Sequence, residues 1–448
     1  MFHEISEDSE WDLLEYWASL SDKLFLKKLS RNDTSWADDK GKHQAGFYIP
    51  SAIRESGYFP ALTARDDKPH IFQSDCKTFW PQTGEHKSSG MRHYSNKGPE
   101  THFTVIPHEL FKGLSPASWL LGGRLREPVA EAHYWFMVIN SVSQDAEILE
   151  TALDISAEFH FDLFDPSQLL KAGALERDAS EELIEQINDA ISRGTLDRLL
   201  ASVGNLPPPA EIAEQARTAY FKATGTRRLD PFDMVTPGDA VMRISRDFEF
   251  QIFKGYELRR RAVEIVAALR HHADMTSAAV RGFPELDRIF LSASQQRKNR
   301  AGRSFEYHLA AMLKAGSIKF EEQAILGGRR PDFVLPDKAA MLPGADRGYL
   351  DAMILSAKTT LRERWKQITH ERFNSSIFLA TVDDRVSRQA LDEMQASDIA
   401  LVVPESLKIS KEAAYTGHAN VITFKDFFED EIARKRPILL KLQFKRFV

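Results

Sequence analysis

Arg329-Arg330-Pro331-Asp332-Phe333-Val334-Leu335-Pro336 and, further along, Ile354-Leu355-Ser356-Ala357-Lys358-Thr359-Thr360-Leu361-Arg362-Glu363-Arg364-Trp365 are the two stretches on which the reading of this chain turns. The first sets a carboxylate at the head of an apolar run. The second sets a lysine at the tail of another, with a dense charged segment directly after it. The chain between Asp332 and Lys358 is long enough for a turn and a return strand, so the two side chains can meet at a shared sheet edge. An aspartate so placed can bind Mg²⁺ together with a phosphate. A lysine there can orient an attacking water and offset charge developing on phosphorus. Pro331-Asp332 alone would be an ordinary turn signal. Its pairing with Ser-Ala-Lys-Thr-Thr gives it a chemical meaning, that of phosphodiester cleavage.

A nuclease site of this kind commonly carries a second carboxylate two residues before the lysine. Ser356 stands there and cannot replace it. The missing ligand must come from elsewhere, and two glutamates qualify. Glu371 lies on the helix expected over Leu361–Phe373, which can run back past the strand end. Glu306 lies on the helix expected over 304–315. Each can equally be read as a surface residue of its helix. Asp332 and Glu371 are the expected metal ligands, with Lys358 and Glu306 completing the catalytic set. Arg362-Glu363-Arg364 opens the helix after Lys358. Arginine reads guanine through O6 and N7, and glutamate accepts from cytosine N4, so the triplet suits the reading of G·C pairs beside a cut phosphate.

Outward from these stretches the C-terminal part alternates. Strands are expected over Ile318–Leu326, Asp332–Leu335, Tyr349–Lys358, Ser376–Val382 and Ile399–Pro404, and helices over Phe248–Ala268, 304–315 and Ser387–Ser397, with Gly316 as a helix stop. That alternation predicts a mixed sheet with helices on both faces, with functional residues where strands end. Residues 1–165 read as mostly β: the runs Ala45–Pro50, Thr101–Ile106, Tyr134–Val142 and Ile155–Leu163 are short, aromatic or β-branched, and separated by turn residues. Residues 85–100, EHKSSGMRHYSNKGPE, read as a polar loop or arm. Helical periodicity appears in 178–203. Leu206-Pro207-Pro208-Pro209 and Thr224–Pro231 read as a hinge. The expected organisation is an N-terminal β domain over 1–165, a helical, proline-containing connection over 166–235, and an α/β domain over 236–448.

Composition bounds the class. The chain has 448 residues, 43% hydrophobic and 28% charged, as in a soluble globular protein of two or three domains. No apolar run approaches a membrane span. The N-terminus is acidic, without the basic region of a secretory signal. Cys76 is the single cysteine, which excludes an internal disulfide and a cysteine-built zinc site and fits a reducing cytoplasm. A net charge of −6 argues against a protein that coats DNA. It leaves room for an enzyme with local basic clefts, and Arg259–Arg261, Arg297 to Arg303, and Arg362 to Lys366 supply such clusters.

These motifs resemble those of the EcoRII-type (type IIE) restriction endonucleases, and the resemblance reaches both ends of the chain. Arg297-Lys298-Asn299-Arg300-Ala301-Gly302-Arg303-Ser304-Phe305-Glu306 is similar to the segment ahead of that family's PD-(D/E)XK core. Arg330-Pro331-Asp332-Phe333 matches its metal-binding aspartate, Lys358-Thr359-Thr360 with Arg362 to Ile368 its lysine-and-recognition segment, and Glu371 its displaced carboxylate. In the N-terminal half, Lys28-Leu29-Ser30, Asn32-Asp33-Thr34 and His43 to Ser51 resemble its effector domain, a DNA-binding pseudobarrel of the plant B3 type. Residues 165–235 match poorly, Ser35–Lys42 is longer than its counterpart, and Glu363 stands where some relatives carry aspartate.

The resemblance implies a multidomain protein: a B3-like β pseudobarrel followed by a restriction-endonuclease-like α/β domain with a mixed central sheet. It implies a Mg²⁺-dependent type II site-specific deoxyribonuclease acting on double-stranded DNA at a pseudopalindromic CC(A/T)GG-type site. It also implies a homodimer, activation by a second DNA copy bound to the N-terminal domain, and a cognate cytosine methyltransferase encoded nearby. Arg362, Glu363, Arg364, Arg300 and Arg303 are the implied DNA-reading residues, and His43, Tyr48 and Arg92 the effector contacts. Relatives flip the central bases into pockets; Arg246 and Phe248 are candidates for such a pocket, with core packing the simpler role for Phe248. Two other readings stand beside this one. A DNA-binding regulator with an inert nuclease fold would lack the set Asp332, Lys358, Glu371 and Glu306. A repair or structure-specific nuclease would have little use for Arg-Glu-Arg and a separate DNA-reading domain.

Overall fold

The computed structural model describes residues 10–38, 45–153, 155–156, 158–170, 177–204, 206–272, 274–361, 365–366 and 373–441. The chain forms two compact units. One holds residues 1–174 with the short segments 384–388 and 410–416; the other holds the remainder.

The first unit is built on strands β1 (Ser21–Lys28), β2 (Phe47–Ile49), β3 (Thr63–Arg65), β4 (Lys68–Trp80), β5 (Glu85–Tyr94), β6 (Thr101–Thr104), β7 (Trp119–Val129), β8 (Ala132–Ile139) and β9 (Phe161–Phe164). They make one sheet in the order β2-β6-β5-β4-β8-β7-β1-β9, with β3 on β4. The β4–β8 pair is parallel and the others are antiparallel. Side chains alternate across a strand with a period of two, and β8 shows what that does here. Tyr134, Phe136 and Val138 enter one apolar core with Phe25, Phe47 and Phe103. Trp135, Met137 and Ile139 enter a second core with Leu24, Leu26 and Trp119 on the other face. A strand buried on both faces reads as an unbroken apolar run, which is why Tyr134–Val142 stands out in the sequence.

The polar stretch 85–100, expected as a loop or arm, is largely β5. It pairs with β4 without interruption from Trp80↔Glu85 to Ile71↔Tyr94, across a turn at Gly84, whose φ is +69°. Composition misleads because its buried positions are partly polar. Ser89 is fully buried and satisfied by Thr78 Oγ1 at 2.8 Å and by the carbonyl of Val105 at 2.9 Å. Such pairing removes the cost of burying a hydroxyl. Cys76 is buried in the same unit.

The second unit contains a six-stranded sheet, β10 (Glu321–Glu322), β11 (Phe333–Leu335), β12 (Met353–Lys358), β13 (Ser376–Thr381), β14 (Ile399–Val403) and β15 (Val421–Thr423), in chain order across the sheet. β10, β11 and β12 run antiparallel; β12 to β15 run parallel. The sheet is therefore mixed, as the alternating pattern predicts. Met353 to Ala357 are all buried and Lys358 emerges at the strand end.

Several boundaries move. The strand expected over Ile318–Leu326 shrinks to Glu321–Glu322, because Ser317 and Gln323 adopt φ of +54° and +55° and break the extended run. The strand expected from Tyr349 starts at Met353, after a 3₁₀ turn over Tyr349–Asp351. The 304–315 helix is the end of a helix running from Met275 to Ala315, started by Asp274, whose side chain accepts from Ser277 N–H. Gly316 does not supply the left-handed stop. Ser317 does, with Ile318 N–H bonded back to the carbonyl of Leu313. Gly316 has a packing role instead, since a Cβ there would meet Pro231 Cγ at 3.0 Å.

Within 166–235, helices occupy Arg177–Ser192, Leu196–Val203 and Pro209–Thr224. Leu183, Ile187, Ala190 and Leu196 pack on Val263 of the Glu249–Leu269 helix. Pro209 is the first residue of its helix, where its missing N–H costs nothing. Most of the helix expected over Leu361–Phe373 lies outside the described residues. No helix among the described residues is long and apolar enough to cross a membrane.

In β7, Gly122 and Gly123 face Phe136 and Trp135 across the ladder. A Cβ at Gly123 would lie 2.1 Å from Trp135 Nε1 and 2.4 Å from Ser21 Oγ, which are themselves hydrogen-bonded at 2.8 Å. Gly123→Ala must therefore break that bond or shift the ring. It is expected to cost about 1–3 kcal/mol, as overpacking does. Urea unfolding followed by tryptophan fluorescence checks this, and an unchanged midpoint would contradict the close approach.

Candidate active site

The β11–β12 pairing brings the two opening stretches together. Phe333 lies opposite Leu355, so Asp332, one step before Phe333, sits beside the end of β12. Asp332 Oδ2 accepts from the Ala357 N–H at 2.8 Å and from Lys358 Nζ at 2.7 Å. Asp332 is 8% exposed, and a buried carboxylate must be paired in this way to remain charged. The local cause is the fully buried run of β12, which surfaces only at its last residue.

Glu306 approaches from the Met275–Ala315 helix. Gln323 Nε2 donates to Glu306 Oε2 at 2.8 Å and also lies 3.5 Å from Asp332 Oδ1, so one amide spans the two carboxylates. The Gln323 N–H donates to the Asp332 carbonyl at 3.0 Å, and Arg330 Nε donates to the Gln323 carbonyl at 3.2 Å. Burial pushes the Glu306 carboxyl up to about 7, and the nearby Asp332 charge adds to that rise; Lys358, Gln323 and Arg303 pull the other way. The result is two carboxylates and an ammonium sharing one half-buried corner. Gln323 was not singled out in the sequence. Its left-handed φ of +55° on a non-glycine residue marks the spot in the structure, and nothing in the residue order announces it.

Ser356, where a carboxylate is common, is 2% exposed. Arg303 is exposed on the same helix as Glu306, ahead of it; Arg300 lies on that helix too, with its side chain outside the described set. Glu371, Arg362, Glu363, Arg364 and His43 lie outside the described residues. Arg246 and Phe248 fall in a π-helical turn, Ile244–Phe248, that leads into the Glu249–Leu269 helix. Such turns recur at functional sites. The Phe248 ring meets Tyr220 edge-on, with centroids 5.6 Å apart.

In the first unit, Tyr48 on β2 pairs with His102 on β6, and His102 with Arg92 on β5. The three side chains form a row across adjacent strands. The Tyr48 and His102 rings meet at 4.1 Å, near-perpendicular, and Arg92 is exposed. Beneath the row, Asp33 accepts from the Tyr48 N–H at 2.7 Å and from buried Lys27 at 2.7 Å. Burial lowers the His102 pKa and raises that of Tyr48. His102 is the member that the sequence reading missed, since only strand register places it between the other two.

The second unit thus carries its polar cluster where β11 meets β12 in a mixed α/β sheet. Residues 264–428, which include Glu306, Asp332 and Lys358, match the family model described as EcoRII C terminal. The chain is 26% identical over 396 residues to the type II restriction enzyme EcoRII of Escherichia coli, covering 86% of this chain and 88% of that protein. It is 29% identical over 161 residues to the type II restriction enzyme SsoII of Shigella sonnei, covering 33% and 50%. A solved structure of metal-depleted Ecl18kI in complex with uncleaved DNA is similar with a TM-score of 0.42 and 22% identity, covering 55% of this chain and 85% of that one. The resemblance to EcoRII-type restriction enzymes thus spans most of the chain.

Two substitutions should move the Glu306 carboxyl in opposite directions. Asp332→Asn removes a neighbouring negative charge and should lower its pKa from about 7, though not to the ordinary value, because burial is the larger cause. Gln323→Leu removes a donor to the charged form and should raise it. Carboxyl ¹³C titration by NMR reads both, and an unmoved Glu306 in both variants would contradict the shared corner.

Proposed function

We propose that the protein is a Mg²⁺-dependent type II site-specific deoxyribonuclease that cuts double-stranded DNA at a short C/G-rich pseudopalindrome of the CC(A/T)GG type. The observation that carries this reading is the corner where Lys358 Nζ and Asp332 Oδ2 meet at 2.7 Å with Glu306 alongside. The similarity to enzymes named as type II restriction enzymes supports it.

The donor set fits a hard divalent cation. Asp332 and Glu306 offer carboxylate oxygens, the ligand type that Mg²⁺ takes. The upward pull on Glu306 by burial and by Asp332 is the strain that a cation in place of a proton relieves. Asp332 would hold the metal with Glu306 or with Glu371, the carboxylate expected from sequence. When bound, Mg²⁺ supplies positive charge to the scissile phosphate and to the oxyanion that develops there. Lys358 orients the attacking water and offsets charge in the transition state. Asp332 holds Lys358 in place for that role. Arg362, Glu363, Arg364, Arg300 and Arg303 would read bases or phosphates beside the cut.

The N-terminal unit is the effector domain of this reading. Tyr48 and Arg92, aligned through His102, with His43 nearby in sequence, would contact a second DNA copy that activates cutting. Its B3-like identity, the base-flipping role of Arg246 and Phe248, the homodimer, the cytoplasmic setting and the cognate methyltransferase belong to the same proposal. So does the division into an effector domain over 1–165, a connection over 166–235 and a catalytic domain over 236–448.

Incubation with Mg²⁺ and unmethylated phage DNA should give fragments with one common end sequence; intact DNA, or ends at random positions, would reject the reading. Lys358→Ala should slow cleavage by about 10²–10³-fold, the effect of losing one transition-state charge partner. Cognate-duplex binding, read by fluorescence anisotropy, should stay near wild type. Equal losses in binding and cutting would remove Lys358 from the chemistry. DNA with two sites should be cut faster than DNA with one, and a short cognate duplex added in trans should rescue the single-site substrate. Equal rates on the two substrates would sink the effector role while leaving the nuclease assignment standing.

A further inference from the structure

Glu306 and Asp332 come from different elements, and one uncharged side chain lies between them. Gln323 Nε2 donates to Glu306 Oε2 at 2.8 Å and reaches Asp332 Oδ1 at 3.5 Å. The NH₂ group of a carboxamide has two N–H donors, so it can face both carboxylates at once. The backbone beneath it is pinned. The Gln323 N–H donates to the Asp332 carbonyl at 3.0 Å, and the Gln323 carbonyl accepts from Arg330 Nε at 3.2 Å. Its φ of +55° is a conformation that glycine adopts more readily. A larger residue held there points to a use for its side chain.

We propose that the Gln323 amide is a placeholder for the cation: it fills the gap between Glu306 and Asp332 while no metal is bound, and swings out when one enters. The inference rests on the metal-dependent reading of this corner. Mg²⁺ binds carboxylate oxygens at about 2.0–2.1 Å. A nitrogen that already faces one oxygen of each carboxylate leaves no room for an ion shared by those oxygens, so amide and ion compete. In the metal-free protein the amide N–H groups offset the repulsion between the two carboxylates, while Lys358 bonds the other oxygen of Asp332, Oδ2. Departure of the amide leaves the fold intact, because the backbone bonds of Gln323 do not involve it. Gln323 is half-buried, so rotation about its own side-chain bonds carries the amide to solvent. Gln323 thereby sets the metal concentration at which the site fills. Removing the amide takes a stabiliser from the empty site and leaves its carboxylates to repel, and both effects favour the ion. Removing a ligand would have the opposite effect.

Mn²⁺ takes the same oxygen ligands and reports its own binding, because the paramagnetic resonance signal of the free ion falls as it is bound. Titrated into the full chain without DNA, Mn²⁺ should bind in a manner abolished by Asp332→Ala. Gln323→Ala should tighten that binding by about 10-fold, the worth of one hydrogen bond to a charged group. Gln323→Lys, whose ammonium is a tethered cation for the same gap, should weaken it below wild type. Thermal melting gives a second reading: Gln323→Ala should melt lower than wild type without Mn²⁺ and gain more from its addition. Unchanged or weaker binding in Gln323→Ala overturns the placeholder, as does a melting loss that is equal with and without the ion, the mark of a plain tether. The metal reading survives either result. Mn²⁺ binding that is absent from the wild type, or that Asp332→Ala leaves intact, overturns both.

Discussion

Asp332 Oδ2 accepts two hydrogen bonds at once, from the backbone of Ala357 and from the ammonium of Lys358, and the second unit is organised around that oxygen. The backbone bond ties the chain entering β11 to the end of β12. The side-chain bond selects where the lysine points as it leaves the apolar strand. A carboxylate this buried is tolerated only while both partners are in place. The residues that would do chemistry are therefore also the ones that close the antiparallel edge of the sheet, and the site is assembled as the fold is.

Glu306 comes to the same corner from a different kind of element. Its helix is held in the unit by Phe305, Leu309, Met312 and Leu313, all buried, so its position depends on packing rather than on the sheet. Gln323 joins the two systems with a single amide. Pairing a rigid strand end with a helix locked by its own core is how a site keeps its geometry against thermal motion. The consequence is electrostatic: burial, with the Asp332 charge close by, lifts the Glu306 carboxyl to about 7.

How much of this can be read from the residues depends on the range of the forces involved. Asp332 and Lys358 were legible because each ends an apolar run, and β12 needs only its own buried pattern to form. The mixed sheet was legible from the alternation of short apolar runs with helical ones. Glu306 could be named as a candidate, but its neighbourhood with Asp332 follows from helix packing that no local pattern encodes. Gln323 was missed because its role comes from a backbone conformation. β5 was misjudged because Ser89 and Thr78 satisfy one another inside the sheet, and such reciprocity is invisible until both strands are paired. The left-handed residue that ends the long helix is Ser317, beside the glycine that composition favours.

The sheet of the first unit is not used evenly along its width. Around β8, both faces are filled by large apolar side chains. Along β2, β6 and β5, one face is held by Phe47, Phe103 and Met91, while the other presents Tyr48, His102 and Arg92. Volume and register are thus set from behind, by residues that do not reach the open face. Replacing a front residue changes polarity and shape on the open side without altering the core. Under natural selection, the shape and charge of this face can drift one side chain at a time while the domain keeps its stability.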